Sequence, residues 1–130
     1  MFIYTSSIVL SASLSLYVTV TVNEAIALYK KHCAMLLQNP ITEADRAALS
    51  EVCNSGIEIE TIFKTTKFLI QTIPVPMDYW KYISIEWIIK NMTALYGMIN
   101  EYAVTRTTKK ISKKITELLD KEAERIRRKK

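Results

Sequence analysis

The sequence predicts a mainly α-helical chain of three to four helices, preceded by one long N-terminal β-strand that pairs between molecules. Three observations carry this expectation. The chain has only Gly 2 and Pro 3 in 130 residues, so few turns can form and the elements must be few and long. That excludes an all-β sandwich, which needs frequent turn signals. From about residue 23 onward, apolar residues recur at helical spacing. Before that point they alternate instead. Leu10, Ala12, Leu14, Leu16, Val18, Val20 and Val22 are apolar, while Ser11, Ser13, Ser15, Tyr17, Thr19 and Thr21 carry hydroxyls. A period of two gives a strand one apolar face and one wet face.

No second stretch alternates in this way. A lone strand leaves backbone donors and acceptors unpaired along both edges, so the expected mate is another copy or another protein. Self-association is therefore assigned to Leu10, Leu14, Leu16, Val18 and Val20, joined by Trp80 and Trp87 from an aromatic helix further on. The alternative fold is all-α with an N-terminal transmembrane helix. Met1 to Asn23 contains no charged side chain, and residues 2–22 are long enough to span a bilayer. Eight Ser and Thr residues in that window oppose insertion. A membrane partner through residues 2–22 belongs to this alternative. The positive-inside rule would then leave the rest of the chain in the cytoplasm.

Three regions follow: 1–22 as strand or membrane span, 23–104 as a helical core domain, and 105–130 as a basic helix or tail. In the core domain, Asn23 is the expected cap of a first helix running to about Gln38, with Ile26, Tyr29, Cys33 and Leu36 or Leu37 on one face. Asn39-Pro40 stops it. Thr42 and Asp45 approximate a capping box for the next helix. Its apolar stripe runs through Leu49, Val52, Cys53, Gly56, Ile59, Phe63, Ile70 and Ile73, with Thr66 filling one turn. Asn54-Ser55-Gly56 marks either a break or a close approach of another helix. Pro74-Val75-Pro76 ends the element. Met77 to Val104 reads as one aromatic helix capped by Asp78, with Glu86 and Lys90 paired one turn apart. Thr105, Thr107 and Thr108 loosen the chain. A last helix from Lys109 carries a thin seam of Ile111, Ile115, Leu118 or Leu119, Glu122 and Ile126.

Hydrophobic content of 49% is enough for a core and excludes wholesale disorder. The net charge of +5 is uneven. Residues 106–130 hold eleven Lys/Arg against four acids, a net +7, and the rest of the chain sums to −2. An anionic partner would meet this end. The residues assigned to it are Lys109, Lys110, Lys113, Lys114, Arg125, Arg127, Arg128, Lys129 and Lys130. Nucleic acid would be held through its phosphates without sequence readout, since no aromatic lies within 106–130. An acidic protein, a membrane surface, or no partner at all for a solvated helix end are the competing readings.

No catalytic constellation stands out. His32 adjoins Cys33, but neighbours on a helix diverge by about 100° and make no nucleophile–base pair. One histidine and two distant cysteines do not make a zinc site, and two glycines cannot build a phosphate-cradling loop. No cofactor is expected. Cys33 and Cys53 read as buried thiols, with a disulfide left open. Asn91-Met92-Thr93 matches a glycosylation acceptor, which matters only in a secreted protein. The functional expectation is a non-enzymatic, small oligomeric assembly protein, such as a virion or filament subunit, with a basic end for an anionic partner. The alternative is a single-pass membrane protein with a cytoplasmic helical domain.

Overall fold

The computed structural model describes residues 20–36 and 39–129. Six α-helices and two 3-10 helices make up the regular structure of these residues, and no strand occurs among them. The expectation of an N-terminal strand is corrected accordingly. Most of that stretch, including Leu10, Leu14, Leu16 and Val18, lies outside the described residues. Its last part is described, and it turns helical. The first helix, α1, is Val22–His32. Thr21 caps it in place of Asn23: the Thr21 hydroxyl accepts from Glu24 N at 3.0 Å, and Thr21 N donates to Glu24 Oε1 at 2.8 Å. This reciprocal box satisfies two backbone donors locally, which removes the need for a partner strand at this point. None of the described helices is long and apolar enough to cross a membrane. Residues 2–19 of the proposed span lie outside the description.

Helix α1 is shorter than its apolar pattern implies. It ends at His32, and Ala34–Leu36 continues as a 3-10 helix. Helix α2, Glu43–Cys53, starts with the capping box expected at Thr42 and Asp45. Asn54-Ser55-Gly56 is a true break: Gly56 takes φ 84°, a left-handed conformation that costs glycine little and other residues more. Helix α3, Ile59–Thr72, buries Ile59, Ile62, Phe63, Thr66, Leu69 and Ile70. The Thr66 hydroxyl is satisfied by donating to Ile62 O at 2.9 Å.

The expected aromatic helix from Met77 to Val104 is three elements. A 3-10 helix spans Met77–Tyr82, α4 spans Ile85–Lys90, and α5 spans Met92–Thr105. Two short polar side chains explain the breaks. Ser84 Oγ accepts from Trp87 N at 3.1 Å and starts α4. Asn91 Nδ2 donates to Trp87 O at 2.8 Å where α4 ends. That bond also engages the carboxamide of the glycosylation sequence in the junction between two helices. Helix α6, Lys109–Lys129, is the longest described element.

The core forms where α1 packs on α3, α2 on α4, and α3 on α5. Tyr29 and Phe63 meet edge to face at its centre, 5.4 Å between ring centroids. Helix α6 lies against the second 3-10 helix and α5, burying Ile111, Ile115, Leu119 and Ala123. The C-terminal region is thus part of the folded unit.

Candidate functional site

The spacing of four between Ile111, Ile115, Leu119 and Ala123 turns one narrow stripe of α6 inward. Everything between those positions faces out or sits at the seam. The seam is closed by charge. Arg125 makes a two-pronged pair with Glu122 and reaches Glu86 of α4 at 3.9 Å. Glu86 in turn holds Lys90 at 2.8 Å. Lys90 foremost, then Arg125 and Lys129, keep the Glu86 carboxyl below the usual carboxylate range. Lys114 reaches back to Glu101 of α5 at 2.6 Å. Arg127 and Arg128 share Glu124 on their own helix.

These pairs divide the nine cations assigned to an anionic partner. Lys114 and Arg125 each pair with an acid within the fold, Arg127 and Arg128 share the single carboxylate of Glu124, and Lys129 is exposed with no acid within ion-pair distance among the described residues. Lys130 lies outside the described residues. Lys109, Lys110 and Lys113 are exposed, and among the described residues none has an acid within ion-pair distance. Arg106, which precedes them, is likewise exposed and without an acidic partner in that set. No acid occurs anywhere in residues 106–114.

Position on the helix sharpens the contrast. Arg127, Arg128 and Lys129 sit in the last turn, where the helix dipole favours cations. Lys109 and Lys110 open the same helix, whose first turn contains no acid. There the dipole opposes them. The helix dipole thus favours the cations at the C-terminal end of α6 and disfavours those at its start.

The corner before α6 brings in two aromatic rings. Arg106 ends α5 in the left-handed conformation, φ 56°. Its guanidinium lies 5.8 Å from the Tyr102 ring centroid. Tyr102 meets Phe68 of α3 edge to face at 5.8 Å, and Phe68 is 42% exposed. Sequence reasoning missed this pair. One signal was available: Phe68 falls off the apolar stripe of α3, whose buried positions are Ile59, Ile62, Phe63, Thr66, Leu69 and Ile70.

The residues expected to drive self-association are placed differently. Trp87 is 3% exposed and packs in the core. Trp80 and Val20 are half-buried against that core. The remaining four lie outside the described residues.

Other chemistry-bearing groups are accounted for structurally. His32 is buried, not surface-exposed, and its Nε2 lies 2.8 Å from Glu60 Oε2 across the α1–α3 contact. Cys33 does not pair with it; the thiol donates to Phe63 O at 3.6 Å. Burial pushes the Cys33 thiol up to about 12. Cys33 and Cys53 are both buried free thiols. A polar cleft of about 380 Å³ lies between the second 3-10 helix and α6, lined by Asp78, Tyr79, Lys81, Tyr82, Asp120 and Arg127 among others. Asp120 beside the Tyr79 hydroxyl raises its pKa. Among the described residues, no cluster of three or more His, Cys, Asp and Glu could hold a metal ion.

No family model matches the chain, and neither a curated protein nor a solved structure does.

Proposed function

We propose that this chain is a non-enzymatic helical binding protein that holds an anionic partner at the corner between α5 and α6. The observation behind this reading is the cation cluster Arg106, Lys109, Lys110 and Lys113. These side chains are exposed, they have no acidic partner among the described residues, and three of them stand at or near the end of α6 where its dipole opposes positive charge. Neither local helix stability nor ion pairing accounts for them. A ligand with clustered negative charge does. Pairing between copies through an N-terminal strand forms no part of this proposal.

The test is substitution, because deleting residues 106–130 would strip Ile111, Ile115 and Leu119 from the core. The triple variant Lys109→Ala, Lys110→Ala, Lys113→Ala should keep its melting behaviour and lose most of its salt-sensitive binding to polyanions such as heparin. The matched control, Arg127→Ala with Arg128→Ala, should bind nearly as well as the parent. Equal loss in both variants would reduce the site to net charge alone and sink the reading.

A further inference from the structure

We infer that the anionic partner is a single-stranded nucleic acid, its phosphates on Arg106, Lys109, Lys110 and Lys113 and an unpaired base on the Phe68–Tyr102 edge. This rests on the anion-binding reading above and narrows it. Bare cations select any polyanion. An exposed aromatic ring beside the charge favours single strands, whose unpaired bases can stack on it, over duplexes, whose bases are already paired and stacked.

The fold builds that combination from three separate parts of the chain. Phe68 comes from the later half of α3 and keeps 42% of its surface exposed, although it is a large apolar ring in a helix that buries six other side chains. Tyr102, from the last turn of α5, meets it at 5.8 Å between ring centroids with the ring planes inclined by 61°. Arg106 stands 5.8 Å from the Tyr102 ring centroid, so its charge begins where the aromatic surface ends. Lys109, Lys110 and Lys113 follow within just over one turn of α6, a rise of roughly 6 Å. In this inference a single strand would run from the exposed Phe68 ring past Arg106 to the lysines that follow it in the chain.

The apolar stripe of α6 argues against a membrane surface. Ile111, Ile115 and Leu119 are turned inward and no more than 1% exposed. The helix therefore has no free apolar face to sink between headgroups. A duplex would engage the lysines but give Phe68 nothing to stack on.

The experiment uses the full chain and fluorescence anisotropy with three probes: a labelled oligothymidylate of about 15 nucleotides, a duplex of equal length, and vesicles containing phosphatidylserine. The parent should prefer the single strand. Phe68→Ala should weaken single-strand binding about tenfold, leave duplex binding unchanged, and be rescued by Phe68→Trp. The triple lysine variant should lower the slope of log K against log salt by about 2 for the single strand. Ultraviolet crosslinking of the oligothymidylate should map to Phe68 or Tyr102, a readout that needs no variant to fold. Duplex binding as tight as single-strand binding, or a Phe68→Ala variant that binds like the parent, would overturn the inference while leaving the anion-binding reading intact. Preference for the vesicles would do the same. Failure to bind any of the three probes or heparin would overturn both.

Discussion

Asp45 joins two helix starts with one side chain. It is 2% exposed. Its Oδ2 accepts from Thr42 N at 2.9 Å, closing the capping box of α2. Its Oδ1 accepts from Glu86 N at 2.9 Å, in the first turn of α4. Both oxygens are therefore used, and a buried carboxylate with donors on both oxygens needs no ligand to explain it. Asp45→Ala would leave two backbone donors without acceptors and should cost about 2–4 kcal/mol by urea denaturation. The cysteines make a second prediction at this scale. The Cys33 thiol, held near 12 by burial, carries almost no thiolate at neutral pH. Burial raises Cys53 as well. Ellman's reagent should label neither in the native protein and both after unfolding. Prompt labelling of one native thiol would show that its cover opens.

At the level of elements, α6 has two roles on two faces. Its inward stripe is core, and its outward face is the charge surface. The two can be separated by substitution. Ile115 is 1% exposed, so Ile115→Ala should cost about 2–4 kcal/mol in stability, read as a lower melting temperature or urea midpoint. Lysine-to-alanine changes at 109, 110 and 113 should move that midpoint little and change binding instead. A basic tail independent of the domain would show the opposite result for Ile115. The ion pairs along the seam reinforce the docking, most of all Arg125, which touches acids of two helices.

For the molecule as a whole, acid is the stress that tests how the helices are joined. Two inter-element carboxylates are held below their ordinary range. His32 lowers Glu60 first through its hydrogen bond, with Lys64 and Lys31 adding to it, and Glu60 links α3 to α1. Lys90 first, then Arg125 and Lys129, lower Glu86, which links α4 to α6. A carboxyl with a depressed folded pKa contributes stability that is complete above its unfolded pKa. That stability is lost as pH falls through the folded value. Melting temperature should therefore fall below the ordinary Glu range. The slope should flatten in Glu60→Gln and in Glu86→Gln, by separate amounts because the two sites lie on different helix contacts. Unchanged slopes in both variants would assign acid sensitivity elsewhere.

Much of this architecture is visible in local patterns. The capping box at Thr42, the stop at Pro74-Val75-Pro76 and the inward positions Ile111, Ile115 and Leu119 of α6 all depend on residues a few positions apart, and all are present; Asn54-Ser55-Gly56 left a break and a close approach both open, and Ala123, not Glu122, completes the buried stripe. Errors arose where a local pattern had two physical outcomes. Thr21 fits an alternating strand and also a helix cap, and Glu24 decides for the cap because it returns a second hydrogen bond. The Met77–Val104 stretch looks like one helix by apolar content, but Ser84 and Asn91 spend their side chains on nearby backbone and divide it. Trp87 looks like interface by residue type, and the fold places it in the core.

The amino-acid order alone determined a helical domain with its positive charge gathered at one end, because periodicity, capping and net charge depend only on near neighbours. The tertiary structure decided which of those charges remain unanswered and what stands beside them. Glu86 and Glu101 reach Arg125 and Lys114 from other helices, and Phe68 comes to Tyr102, the ring that Arg106 approaches, across more than thirty residues. Electrostatic neutralisation and aromatic contact act through space at a few ångströms, so chain separation carries no information about them until the helices have packed.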